Sequence, residues 1–337
     1  MLIEPDFSLK NYNTLGLNIR AKNCIRVNYH KDLSDLFNEK WFTKKFLVIG
    51  EASNILFKSD YDGLIIMMNT RGIEVAEESK DEIILNVQAG ENWNELVNYT
   101  VKNNYWGIEN LSMIPGKAGA APIKNIGAYG TELKDVFVEL KAFDTTSGEI
   151  KTFTKEECKF AYRDSIFKSV FKGRYIVLNI RIKLSKIPNP NITYKALHDY
   201  LGNVDVNTLK IGEIQDAINS IRSSKLPDPE EISNCGSFFK NPVVSSDIAE
   251  DLKSHYSDMP VYKVDAHNTK LAAGWLIEKS GWKGKRKDDA GVHEKQALVL
   301  VNYGNASGHD IYNLSVEIAR DVYKKFGIQL EREVRVI

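Results

Sequence analysis

The stretch IPGKAGAAPIKNIGAYG (114–130) constrains the fold more than any other part of the chain. It holds four glycines, four alanines and two prolines in 17 residues. Proline interrupts helices and sheet ladders, and glycine weakens both. The stretch is therefore expected to be an irregular connection. Its small side chains let the backbone come very close to something, either a neighbouring strand or a flat ligand such as a pyrophosphate. A second stretch of this kind, GEASNIL (50–56), directly follows the apolar run FLVIG (46–50). A strand feeding such a loop turns backbone N–H groups toward a phosphate. Neither stretch is a GxGxxG or Walker pattern, so the standard dinucleotide and P-loop readings fail.

Around these loops the chain alternates strands and helices. FLVIG, GLIIMM (63–68) and EIILNVQAG (82–90) read as buried strands, with EASNILFKSDYD as a connecting loop. Trp93, Leu96, Val97 and Val101 recur at helical spacing. KAFDTTSGEIKTF (141–153) reads as a hairpin, and RYIVLNIRIKL (174–184) as a half-buried strand. KIPNPNITYK (186–195) reads as a loop. Ile211, Ile214, Ile218 and Ile221 then line a helix that the two prolines of KLPDPEE (225–231) must end. A last helix carries Ile311, Leu314, Ile318 and Val322, with Gly327 as its stop. A short strand over 328–337 is expected to close the chain. Its one face would hold Ile328, Leu330, Arg332, Val334 and Val336, its other Gln329, Glu331, Glu333 and Arg335. The fold class is α+β.

Bulk properties exclude several functions. Lys plus Arg and Asp plus Glu each number 45, so nothing points to a nucleic-acid surface. The three cysteines are far apart and the six histidines scattered, which leaves neither a disulfide framework nor a metal site. No apolar run reaches membrane-spanning length and the N-terminus has no signal-peptide pattern, so a cytoplasmic protein without membrane insertion is expected.

Three places offer chemistry. Arg163, in YRDSIFK, is either a surface ion pair or a guanidinium held over a carboxylate or enolate. In NCGSFFKNP (234–242), Ser237 or Cys235 is either part of a tight turn or aimed at a substrate. Glu333 and Arg335 lie either on a solvated face or in a cleft. Residue pattern alone selects no reaction: there is no nucleophile elbow and no cue for a Ser-His-Asp triad.

Taken together, NTLG (13–16), GEASNILF, GIENLSMIPGKAGAAPIKNIGAYG, YRDSIFK, ITYKAL, KLPDP, CGSFFKNPVV, KLAAGWLIE, HEKQALVLVN and LEREVRV resemble, in order, the UDP-N-acetylenolpyruvoylglucosamine reductases, type I branch. The resemblance runs from about residue 10 to the end. It implies an FAD-binding fold of two α/β subdomains, of the vanillyl-alcohol-oxidase kind, with a separate C-terminal α/β substrate-binding domain. Residues 1–70, joined by the strand 328–337, would form the first subdomain, 71–224 the second, and 225–327 the substrate domain.

The resemblance also implies site residues. Gly50, Ser53, Asn54, Ile55, Gly116, Gly119, Asn125, Gly127 and Gly130 would hold FAD. Arg163, Ser237 and Glu333 would be catalytic. Tyr194, Lys225, Asn241, Tyr262, Lys270 and Gln296 would meet the UDP-sugar, with the Tyr194 loop closing over it. NADPH would reduce the flavin, which would then pass hydride to the vinyl carbon of UDP-N-acetylglucosamine enolpyruvate. Arg163 and Glu333 would steady the resulting enolate and Ser237 would protonate it, in a monomer without metal. Ala52 replaces a usual glycine, and Lys117 and Lys124 replace residues more often uncharged. The competing readings are a flavoenzyme of another substrate and a catalytically dead flavoprotein.

Overall fold

The computed structural model describes residues 2–337. The chain divides into two compact units. The first comprises residues up to Phe7, Ala21–Glu51 and Asp62–Ser224, and the second Ser8–Arg20, Ala52–Tyr61 and Lys225–Ile337.

Two large sheets lie in the first unit. In one, Ile3–Ser8, Arg20–Val27, Tyr61–Met68 and Phe46–Ile49 lie side by side in that order. The last pair is parallel, with Phe46 opposite Leu64 and Ile49 opposite Met67. Tyr61–Met68 is buried almost throughout, as its unbroken apolar run requires. The other sheet runs Ile150–Thr154, Phe137–Asp144, Tyr175–Ser185, Glu82–Gln88, Ile73–Glu78, all antiparallel. The hairpin expected at 141–153 is its first pair. Helix Trp93–Lys102 packs Trp93, Leu96 and Val97 into the same core, and the Asn92 side chain caps it by accepting from the Glu95 amide.

A smaller cluster in this unit gathers Ile211, Ile214, Ile218 and Ile221 against Trp106 and Leu197. These isoleucines are the stripe of helix Ile211–Lys225, which stops two residues before Pro227.

The second unit has a sheet ordered Ser233–Ser237, Val299–Asn302, Ala290–Val292, Arg286–Lys287 and a smaller one ordered Val243–Ser245, Asn268–Leu271, Val261–Lys263. Helix Gly308–Phe326 starts at a Ser307–Asp310 capping box and stops at Gly327, which has φ +68°. Its buried stripe is Ile311, Leu314, Ile318 and Val322.

The chain end differs from expectation. Ile328, Leu330 and Val334 are buried and Gln329, Glu331 and Arg335 exposed, so the alternation holds. Regular strand, however, is confined to Arg335–Val336, which pairs in parallel with Ile55–Leu56. The preceding residues meet 238–240 through an isolated Phe239–Arg332 bridge. That neighbour runs straight into Pro242, which has no N–H, so a longer ladder cannot form there.

Candidate functional site

The loop 114–130 contains a 3-10 helix, Ala118–Ile123, and two short strands, Gly127–Ala128 and Thr131–Glu132. Close backbone approach is real, and at Gly119 the neighbour is protein. A Cβ there would lie 2.5 Å from the Ala89 Cβ, and the Gly119 amide donates to the Ala89 carbonyl at 2.9 Å. Gly127 faces Glu132 and Arg163, and Gly130 faces Asn191 and Thr193. Asn125 is fully buried. Its amide donates to Glu132 and to the Ala161 carbonyl, and its oxygen accepts from the Lys134 amide, so it braces the loop.

Glu51 joins this loop to the end of strand Phe46–Ile49. One carboxylate oxygen accepts from the Gly116 amide at 2.9 Å and the other from the Asn92 side chain at 2.8 Å. Lys117 lies 3.3 Å from the same carboxylate, and its stem covers Gly50. Pattern reading passed over Glu51. A carboxylate inside a loop suited to phosphate was the available signal, because it is tolerable there only if protein donors neutralise it.

Arg163 sits at the tip of a tight loop closed by paired backbone bonds between Ala161 and Asp164. Its φ is +53°, a conformation that a non-glycine residue holds only when its surroundings enforce it. The guanidinium donates to the Gly127 carbonyl, and the Lys168 ammonium holds the Arg163 carbonyl at 2.9 Å. Two residues along that strip, Tyr129 meets Tyr194 edge-to-face at 5.3 Å. Tyr129 also hydrogen-bonds Arg222, and burial pushes the Tyr129 hydroxyl up while Arg222 opposes it. Burial lowers Arg222, whose Nε is enclosed with no hydrogen-bond partner. Gly116, Gly119, Asn125, Gly127, Gly130, Arg163 and Tyr194 thus share the first unit, as does Gly50.

The second unit holds the remaining candidates. Ser53, Asn54 and Ile55 lead into strand Ile55–Leu56, and the Asn54 carbonyl accepts from the Arg335 amide at 3.1 Å. Asn54 Oδ1 is buried and has no hydrogen-bond partner among the described residues. Leaving such an acceptor unmade costs about 1–3 kcal/mol, so it fits a loop that completes its bonding on a ligand donor. Before it, Ala52 has φ +46°, a glycine-like conformation that its methyl group bears while buried.

Ser237 ends strand Ser233–Ser237 and is exposed, whereas Cys235 is buried. The next residue, Phe238, accepts at its carbonyl from the Glu333 amide at 2.9 Å. The Glu333 backbone thereby lies against the residue that follows Ser237, 96 positions earlier in the chain. Phe238 and Phe239 are buried edge-to-face at 5.4 Å and wall the turn on its inner side. Asn241 Oδ1 accepts from the Ala273 amide at 2.9 Å. Tyr262 pairs across the sheet with Lys270, whose ammonium lies 5.8 Å from the ring centre. Gln296 Oε1 is 3.1 Å from where a Cβ on Gly274 would stand, and Lys225 is exposed at its helix end.

Among the described residues no group of acidic, histidine or cysteine side chains is arranged to hold a metal, and no helix is long and apolar enough to cross a membrane.

The chain is similar to known proteins. Residues 25–154 match an FAD binding domain, and 228–337 match the UDP-N-acetylenolpyruvoylglucosamine reductase C-terminal domain. The UDP-N-acetylenolpyruvoylglucosamine reductase of Flavobacterium johnsoniae is 44% identical, with both chains covered completely. That of Amoebophilus asiaticus is 45% identical at the same coverage. That of Pseudomonas putida is 43% identical over 98% of this chain and 97% of its own. This chain belongs to the UDP-N-acetylenolpyruvoylglucosamine reductase family. Its fold is that of a solved reductase from Thermus caldophilus, with a TM-score of 0.70 at 22% identity over all of this chain and 99% of that one. As a family member it pairs an FAD binding domain with the reductase C-terminal domain. Its Lys117 is not a stray charge in the FAD-binding part, since Glu51 neutralises it.

Proposed function

We propose that the chain reduces UDP-N-acetylglucosamine enolpyruvate to UDP-N-acetylmuramate, in the cytoplasm and as a monomer, with NADPH as reductant. FAD, when bound, would supply the hydride chemistry between NADPH and the vinyl carbon. Gly50, Ser53, Asn54 and Ile55, with the loop from Gly116 to Gly130, are the residues to hold it. The observation that carries this reading is the exposed Ser237 hydroxyl beside the Glu333 segment, with Cys235 turned inward.

The residues divide the remaining work. Hydride addition leaves negative charge spread toward the substrate carboxylate. The Arg163 guanidinium is a preorganised cation for that charge, already fixed by its bond to the Gly127 carbonyl. Glu333 orients the enolic group by hydrogen bonding. Ser237 then gives its proton to the neighbouring carbon. A hydroxyl is a weak acid in water, but a strongly basic carbanion within hydrogen-bond reach can take its proton. No histidine is needed, because Ser237 attacks nothing. Tyr194, Lys225, Asn241, Tyr262, Lys270 and Gln296 serve the nucleotide-sugar.

Purified protein that is yellow, bleaches with NADPH and regains colour only with the enolpyruvyl sugar nucleotide is the expected result. Recolouring by unrelated acceptors alone would point to another flavoenzyme. No bleaching at all would point to a non-catalytic flavoprotein.

A further inference from the structure

The strand that ends at the exposed Ser237 contains one extra residue. Asn234 pairs with Val301 and Ser237 with Val299, so three steps on one strand match two on the other. In a regular strand Cys235 and Ser237 would share a face. The extra residue moves Ser237 from the Cys235 face to the Asn234 face, where it ends the strand exposed while Cys235 stays buried. Gly236 makes the slip possible at φ +69°, where it meets no neighbouring atom.

Asn234 holds this bulge in place. Its Oδ1 accepts from the Gly236 amide at 2.9 Å, replacing a ladder bond that the bulge breaks. Its Nδ2 donates to the Ile232 carbonyl at 2.9 Å and to the Pro227 carbonyl at 3.2 Å, two residues beyond Lys225. Its own amide donates to the Thr14 carbonyl of NTLG at 2.8 Å. The side chain is buried, and these side-chain hydrogen bonds all go to backbone groups of the chain itself.

We propose that Asn234 is the positioning residue for Ser237, setting the bulge that presents the hydroxyl and tying it to the Lys225 turn. The catalytic part rests on the proposed role of Ser237 as proton donor. The geometric part does not.

Two experiments separate these parts. In the first, Asn234→Ala should keep reduction of bound FAD by NADPH within about twofold of wild type, while reoxidation by the enolpyruvyl sugar nucleotide slows by about 10- to 100-fold with little change in KM. Asn234→Asp keeps the acceptor for Gly236 but loses both donors. It should recover the sugar half-reaction to within about threefold, with a lower melting temperature than wild type. Equal loss in both half-reactions, a wild-type sugar rate in Asn234→Ala, or no recovery in Asn234→Asp would overturn the proposal. If Asn234→Ala does not fold, Gly236→Ala takes its place and should show the same split; its absence would also overturn the proposal.

The second experiment needs no activity. A thiol placed by Ser237→Cys in a Cys235→Ala background should react readily with iodoacetamide. Adding Asn234→Ala should slow that reaction at least about fivefold, as expected of a side chain turned from solvent. An unchanged rate would overturn the geometric part even if wild-type protein did not reduce the sugar nucleotide. Slowed labelling together with an inert wild type would instead uphold the geometry and reject the proposed function.

Discussion

The Glu51 carboxylate accepts the Gly116 amide at 2.9 Å, tying the first small-residue loop of the chain to the second. The bond spans 65 positions, and the same carboxylate also holds Asn92 and Lys117. Glu51→Ala would leave the Gly116 amide and the Lys117 ammonium without this partner. A loss of about 1–3 kcal/mol in FAD affinity, roughly 5- to 150-fold, is expected from disordering the loop. Flavin titration of the apoprotein measures it, and unchanged affinity would show that the clamp does not set the loop.

Ala52 at φ +46° makes a second expectation. Ala52→Gly should change stability by no more than about 1 kcal/mol, because relief of backbone strain and added freedom of the unfolded chain oppose each other. Ala52→Val should lose about 2 kcal/mol, since a β-branched residue fits that conformation poorly and the site is buried. Urea midpoints of the two variants give the comparison, and equal midpoints would contradict it.

Ser237 and Cys235 are separable by substitution. Ser237→Ala should lower the sugar half-reaction by about 10²- to 10⁴-fold and abolish solvent-deuterium delivery to the protonated carbon. Reduction by NADPH should stay near normal. Cys235→Ser should remain within about threefold of wild type, as expected for a buried thiol outside the chemistry. A large loss in Cys235→Ser would reassign the proton donor.

Asp144 gives the acid limb of stability. It accepts from Arg174 at 2.7 and 3.1 Å and from the Thr146 amide at 2.9 Å. The Arg174 hydrogen bonds hold its carboxyl at about 2, against 3.8 as the ordinary value. The folded value lies below the unfolded one. The stabilisation is therefore complete above about pH 4 and is lost as pH falls through 3.8 toward 2. Arg174 is half exposed, so solvent screening limits the effect to about 1 kcal/mol. Asp144→Asn should lose that amount at pH 7 and show a flatter decline between pH 4 and 2 by chemical denaturation. A decline as steep as wild type would assign the acid limb to other carboxylates.

Local periodicity was readable within most single elements, although the strand expected to be half-buried at 174–184 is buried on both faces from Ile176 to Ile180 and alternates only beyond it. The stripes at Ile211–Ile221 and Ile311–Val322, the hairpin at 141–153 and the stop at Gly327 depend on side chains a few residues apart. The two-residue strands Ile55–Leu56 and Arg335–Val336 were not readable, because such short elements carry no period and exist only as each other's partner. The site behaved similarly. The motifs carrying Arg163, Ser237 and Glu333 were visible as residue types in order. Glu51 and Arg222 were not singled out, since each works through groups distant in the chain, and Asn234 was not, since its local bonds matter only at a bulge that pairing with 299–301 creates.

The amino-acid sequence by itself determined the kinds of element, their order and the family. It could not decide whether NCGSFFKNP exposes its thiol or its hydroxyl. Pairing with 299–301 leaves one extra residue between Asn234 and Ser237, so Cys235 and Ser237 take opposite faces, and Ser237 is the one exposed, at the strand end. A side-chain period of two makes a single-residue slip enough to move a side chain to the other face.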